Sequence, residues 1–302
     1  MGKATRVKRE NARERIAAQR AAEHRRERRN RMFIAGGSIL GVVVIVVAFL
    51  FFKTLNHGTP ASASSSSAAG TALPASVVKD ITSVPASTLT SVGTGTADAK
   101  SVAVVSSAKT LTAGGKPEVL YIGAQYCPYC ATERWAMAVA LSRFGTFSGI
   151  SGIHSAGGQE VYPNTATLNF YKARYTSKYL TFTPVEQETV SEKPLEKTTA
   201  AETALLTKYD SPPYVSASEQ GAIPFIDFGG KYFVHGAQYD PQVLSGQTWA
   251  QVAAALQDPS SAIAKGADGA ANMITATICK VTNNQPSNVC TSPVIKSVQG
   301  QL

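Results

Sequence analysis

Glu118 to Phe144 reads EVLYIGAQYCPYCATERWAMAVALSRF. An apolar strand runs into Cys127-Pro128-Tyr129-Cys130, and a helical run follows. The order strand–CPYC–helix sets Cys127 at a helix N-terminus and Pro128 at the first helical position, where its missing N–H costs nothing. Unpaired backbone N–H groups and the positive end of the helix dipole favour a thiolate there. Cys130 lies one turn further in, within reach of a disulfide to Cys127. Thiol–disulfide exchange needs such a pair, an exposed nucleophile with a resolving thiol beside it. Trp135 to Leu141 is apolar on nearly every face, which predicts a helix packed on a sheet and covered by other elements.

A C-x-x-C alone has other readings. It is half of a structural zinc site, or an inert disulfide. Zinc needs two more ligands, and Cys279 and Cys290 are not at a knuckle spacing. All four cysteines lie after residue 52, and the N-terminal tail has none. An even count on one side of the chain suits two disulfides in an oxidising compartment. Cys279 and Cys290 enclose a 12-residue loop with Asn283, Asn284, Pro286 and Asn288. A structural disulfide is the favoured reading, and a second redox pair feeding electrons to Cys127–Cys130 is the alternative.

Further on, Gly221 to Phe228 reads GAIPFIDF, a strand opening on a proline, where proline is tolerated. Gly229-Gly230 form a hairpin turn, and Lys231 to Val234 return. Thr248 with Gln251 predicts a capping box ahead of Val252 to Leu256. Val77, Val78 and Ile81 are spaced for a short helix that ends at Pro85, and Ala103 to Val105 read as a strand. There are 93 residues between Cys130 and Pro224. A helix, a strand and a helix need only about 45–50, so the surplus predicts an inserted subdomain over roughly 157–215. It holds the strand-like Leu168 to Tyr171 and a helix from Pro194 to Tyr209. A helical segment carrying the second cysteine pair is expected over 257–302.

The chain has 302 residues and a formal charge of +9. Residues 1–31 hold 12 Lys+Arg and 4 Asp+Glu, a net of +8, so the rest is nearly neutral. A broadly basic nucleic-acid groove is therefore excluded. With 44% hydrophobic and 16% charged residues the chain is not mainly disordered. Met32 to Phe52 is 21 residues without a charge, long enough for one transmembrane helix. A buried core helix and a signal peptide cut near Ala61-Ser62-Ala63 are the alternatives. Arginines crowd the N-terminal flank, so the tail is expected in the cytoplasm, near anionic headgroups, and the remainder outside. Residues 53–72 read as a Ser/Ala/Gly linker, and the exported domain as 73–302.

These elements together resemble the thioredoxin superfamily, and more closely a membrane-anchored family labelled domain of unknown function 929. The matching stretches are GKPEVLYIGAQYCPYCATERWAMAVALSRFG, YPNTATLNFYKARYTSKYL, IPFIDFGGKYFVHGAQYDP and ICKVTNNQPSNVC. The resemblance implies an α/β thioredoxin-like fold with an inserted subdomain, preceded by a single transmembrane helix. It implies a cis Ile223-Pro224 bond facing the cysteine pair, with a backbone that binds extended substrate. It also marks departures. Tyr121 stands where thioredoxins keep a buried Asp. Pro128-Tyr129 is the glutaredoxin dipeptide, without a glutathione-binding pattern. The long insert is of the kind seen in DsbA-like oxidoreductases.

The function expected is thiol–disulfide exchange on exported proteins, oxidase or isomerase rather than reductase, with an unidentified redox partner. Cys127 and Cys130 carry the chemistry, and Ile223, Pro224, Tyr126 and Tyr129 meet the substrate. No cofactor, metal or nucleic acid is expected. A non-catalytic binding module of the cell envelope and a copper-delivery protein are the alternatives. Copper delivery calls for a histidine facing the pair, and His154 and His235 are the histidines nearest the strands. Glu133 and Arg134 are expected to be solvated or ion-paired, and either could tune the thiolate.

Overall fold

Residue 118 begins the part of the Lys116–Gly123 strand that organises the molecule: each residue from Glu118 to Gly123 has a strand partner on at least one side. A computed structural model of the chain describes residues 68–302 apart from 106, 107 and 218. The expected basic tail, transmembrane span and most of the linker lie outside the described residues. Among those that are described, no helix is long and apolar enough to cross a membrane.

In chain order the elements are β1 (Thr71–Ala72), α1 (Ala75–Thr82), α2 (Ala86–Val92), β2 (Val102–Val104), β3 (Thr112–Ala113), β4 (Lys116–Gly123) and α3 (Pro128–Ser142). Four short strands follow: β5 (Gly145–Ser148), β6 (Ser151–His154), β7 (Ala166–Asn169) and β8 (Arg174–Ser177). Then come β9 (Thr181–Glu186), α4 (Ala200–Tyr209), β10 (Phe225–Phe228), β11 (Tyr232–His235), α5 (Trp249–Ala255), α6 (Ala262–Val281), α7 (Ser287–Cys290) and α8 (Pro293–Gln299).

The main sheet is mixed. β4 pairs in parallel with β9 and antiparallel with β10, β11 adds antiparallel to β10, and β2 to β11. β3 continues the sheet at the Lys116 end of β4. The parallel pair requires a crossover, which α3 and β5–β8 supply. Side chains alternate across the sheet. Val119, Tyr121, Ile226, Phe228 and Val234 enter the larger core with α3 and α6. Leu120, Ile122, Phe225 and Phe233 enter a second core with Tyr209, packed against Leu205 and Leu206 of α4. Because helices cover both faces, β4 is a continuous apolar run rather than an alternating one.

α3 is buried along nearly its whole length, as its sequence predicts. Glycine lets α6 come close: a Cβ on Gly266 would lie 2.5 Å from the Tyr239 ring. The capping box at Thr248 and Gln251 forms and starts α5.

Three local readings differ. The helix expected from Pro194 starts at Ala200, because Thr199 and Glu202 form its capping box, while Pro194 makes an isolated bridge with Glu188. The hairpin loop is one residue longer than expected: Phe228 pairs with Tyr232, and Gly229 and Gly230 adopt φ of 61° and 71°. The stretch read as flexible linker ends in structure. Thr71–Ala72 pair with β6, and the Ala68 carbonyl accepts hydrogen bonds from Gln125 and Asn169. Cys279 and Cys290 form a disulfide with both residues buried, joining α6 to α7.

Candidate active site

The chain leaves β4 at Gly123 and turns through Ala124, whose carbonyl accepts the Cys127 N–H at 3.3 Å. Cys127 is the N-cap of α3, with Pro128 in the first turn. Its Sγ accepts the Cys130 N–H at 3.2 Å, so the sulfur occupies a place that a serine or aspartate oxygen usually takes. From the other side the Cys127 thiol donates to the Ile223 carbonyl oxygen at 3.6 Å. The Ile223–Pro224 peptide is cis, and the Pro224 carbonyl accepts the Gly236 N–H at 2.8 Å. Cys127, Cys130, Ala124, Tyr126 and Ile223 form one small apolar cluster.

Both cysteines are free thiols, and both are covered. Cys127 is 4% exposed and Cys130 fully buried. The reading of an exposed nucleophile is corrected here. The Ile223 loop and the Tyr126 turn close over the sulfur that the helix start would otherwise present. The Cys127 thiol is held below its ordinary range, first by its hydrogen bond with the Cys130 thiol, then by the Cys130 N–H and the charge of Arg134, against burial. Burial drives the Cys130 thiol well above its ordinary range, and Arg134 works in the opposite direction. The two sulfurs are thus differentiated: the surroundings favour the thiolate at Cys127 and disfavour it at Cys130.

Of the residues expected to meet substrate, Ile223 and Tyr126 pack against the pair. Tyr129 is 40% exposed and meets the Tyr162 ring edge-on at 6.0 Å. Tyr162 belongs to the β6–β7 connection, which also donates the Ala156 N–H to the Tyr126 carbonyl at 2.8 Å. A 340 Å³ hollow flanks the cis peptide, lined in part by Lys100, Tyr214, Ala222, His235 and Gly236.

Glu133 and Arg134 are not solvated; both are fully buried. Arg134 donates to both Glu186 carboxylate oxygens, at 2.8 and 2.7 Å, and to the Ala124 carbonyl at 2.7 Å. Its guanidinium also lies 5.9 Å from the centre of the Tyr121 ring. Among the described residues Glu133 meets no cation; it accepts the Gln238 N–H at 3.0 Å, and burial pushes its carboxyl up to about 8. His235 Nδ1 meets Asp210 Oδ1 at 3.1 Å, and the His154 ring lies 4.6 Å from that of Trp249. Among the described residues, no group of three or more His, Cys, Asp or Glu comes together as a metal site would need.

Glu186 and Tyr162 were not anticipated from the sequence. Half of the signal for Glu186 was legible: Arg134 falls on the stripe of Cys127 and Cys130 in a helix apolar all round, and a buried arginine demands a partner. The partner itself comes only from the parallel register that sets Gly123 opposite Glu186.

The chain belongs to a family described as a domain of unknown function (DUF929), whose pattern matches residues 102–280. The match takes in the cysteine motif, Glu186 and the Ile223–Pro224 loop, and stops short of Cys290. Among curated proteins and among solved structures, none matches the chain.

Proposed function

We propose that the domain is thioredoxin-like and acts as a thiol–disulfide oxidoreductase on exported proteins. The strand order β9–β4–β10–β11 with one parallel pair supports that fold, with β5–β8 as its insertion. The observation that carries the function is the environment of Cys127 Sγ, at a helix start, under the Cys130 N–H and against the Ile223 carbonyl. Starting from the oxidised pair, a substrate thiolate attacks Cys127 Sγ and the Cys127–Cys130 bond breaks. Cys130 leaves as a thiolate and takes a proton. A second substrate thiolate then attacks the substrate sulfur of the mixed disulfide, and Cys127 leaves. Two electrons pass to the pair, and a disulfide of a partner protein takes them up. The backbone at Ile223 would receive the substrate strand. In the proposal residues 32–52 anchor the domain outside the cytoplasm, with the basic tail inside; the buried Cys279–Cys290 disulfide fits an oxidising compartment. The test is Cys130→Ala expressed in cells. Substrates linked through Cys127 are expected, and a purified protein that neither oxidises nor reduces a peptide would overturn the reading.

One observation favours a second reading. Both sulfurs are covered, as a permanent disulfide in a binding module of the envelope would be. The reduction potential separates the two: below about −300 mV the pair is structural.

A further inference from the structure

Cys127, Cys130 and Arg134 lie at i, i+3 and i+7 of one helix stripe. The Ala124 carbonyl accepts both the Cys127 N–H and Arg134 Nη2, so the guanidinium pins the turn that carries the nucleophile. Glu186 holds the guanidinium by two hydrogen bonds from a neighbouring strand. Buried ion pairs of this kind contribute little net stability, since apolar residues of similar volume serve as well. Polar atoms here are also left unserved: among the described residues, Arg134 Nη1 and the nearby Tyr121 hydroxyl have no partner. An arrangement costly for folding and joined to the Cys127 turn through the Ala124 carbonyl calls for a functional account.

We propose that Arg134, clamped by Glu186, is the positioning residue that sets the direction of exchange, because its charge behind both sulfurs favours the dithiol form and makes the Cys127–Cys130 disulfide an oxidant. The proposal rests on the oxidoreductase reading and deepens it. When a substrate thiolate attacks Cys127, negative charge appears on Cys130, which is fully buried. Burial makes that charge unfavourable, and Arg134 acts against this at Cys130 as it does at Cys127. A reduced form stabilised in this way raises the potential of the couple. The negative charge of Glu186 limits the effect while holding the guanidinium in place.

Two charge deletions therefore act in opposite directions. In full-length protein equilibrated with reduced and oxidised glutathione, Arg134→Gln is expected to weaken the pair as an oxidant at least tenfold, about 30 mV for two electrons. Glu186→Gln is expected to strengthen it, and Arg134→Lys to restore most of what Arg134→Gln loses. The pH profile of Cys127 alkylation is expected to follow, to higher pH for Arg134→Gln and lower pH for Glu186→Gln. A role confined to packing would move both variants the same way, and that result, or no movement in either, overturns the proposal. If Arg134→Gln does not fold, Glu186→Gln decides alone: a shift to the oxidising side supports the proposal, and any other result overturns it. Glutathione equilibrium needs no protein substrate, so its outcome is independent of whether the wild type exchanges with exported proteins.

Discussion

Cys127 Sγ lies 3.6 Å from the carbonyl oxygen of Ile223, a residue 96 positions away in sequence. That contact joins the helix start to the β10 loop and covers the sulfur. It leaves Cys127 only 4% exposed, with the Ile223 backbone against its sulfur.

Alkylation in the reduced native protein is expected at Cys127 and not at Cys130. Cys127 is the sulfur with the depressed thiol, whereas Cys130 is fully buried and raised. Mass spectrometry after iodoacetamide treatment reads the sites. Label on Cys130 before unfolding would contradict this order.

Breaking the buried ion pair from one side leaves the other charge without a partner. Arg134→Met is expected to destabilise the domain by about 3–5 kcal/mol, because Glu186 stays fully buried. Arg134→Met combined with Glu186→Leu should recover most of that loss. Urea unfolding of the two variants checks the difference, and equal losses would show that the arginine stem, not its charge, was being measured.

Stability should fall as pH rises through neutrality. Burial pushes Glu133 and Asp268 up to about 8, against about 4 in an unfolded chain. The folded state thus keeps protons that the unfolded chain releases, so their contribution is whole below about pH 4 and lost by about pH 8. Asp268, fully buried with neither oxygen partnered among the described residues, is the cleaner test. Asp268→Asn should gain on the wild type by up to about 1.4 kcal/mol per pH unit between pH 5 and 8. A constant difference across that range would rule the explanation out.

The Cys279–Cys290 disulfide lies within the larger core, and both residues are buried. Exchange requires access to a sulfur, so this bond is expected to stabilise without taking part in turnover. Replacing both cysteines by serine should cost somewhat under about 3 kcal/mol for a loop of this size. The melting temperature should drop while peptide exchange at Cys127 stays unchanged; lost exchange in a folded variant would point to a second redox pair.

Most of β4 and α3 could be read from residues 118–144, because the signals are local. An apolar run covered on both faces, a proline at the first helical position and a cysteine pair one turn apart each act within a few residues. The hairpin glycines and the Thr248–Gln251 cap were legible for the same reason. Other features were misread where a distant contact overrides composition. Residues 68–72 look like linker, yet Gln125, Ser151 and Asn169 hold the Ala68 and Ala69 carbonyls. Glu133 and Arg134 read as solvated or ion-paired; Arg134 is ion-paired with Glu186, and it is their full burial that distant contacts impose.

By itself, then, the sequence determined which cysteines form the C-x-x-C motif, which strand and helix carry them, and where the β10 turn returns. Periodicity, turn chemistry and helix capping act over one or two turns of chain. Only the tertiary structure decided that Cys127 is covered, that Ile223 is its lid, and that Glu186 stands behind Arg134. Those relations depend on which strands pair and in which register, and a parallel β4–β9 pairing brings together residues whose separation along the chain carries no local signal.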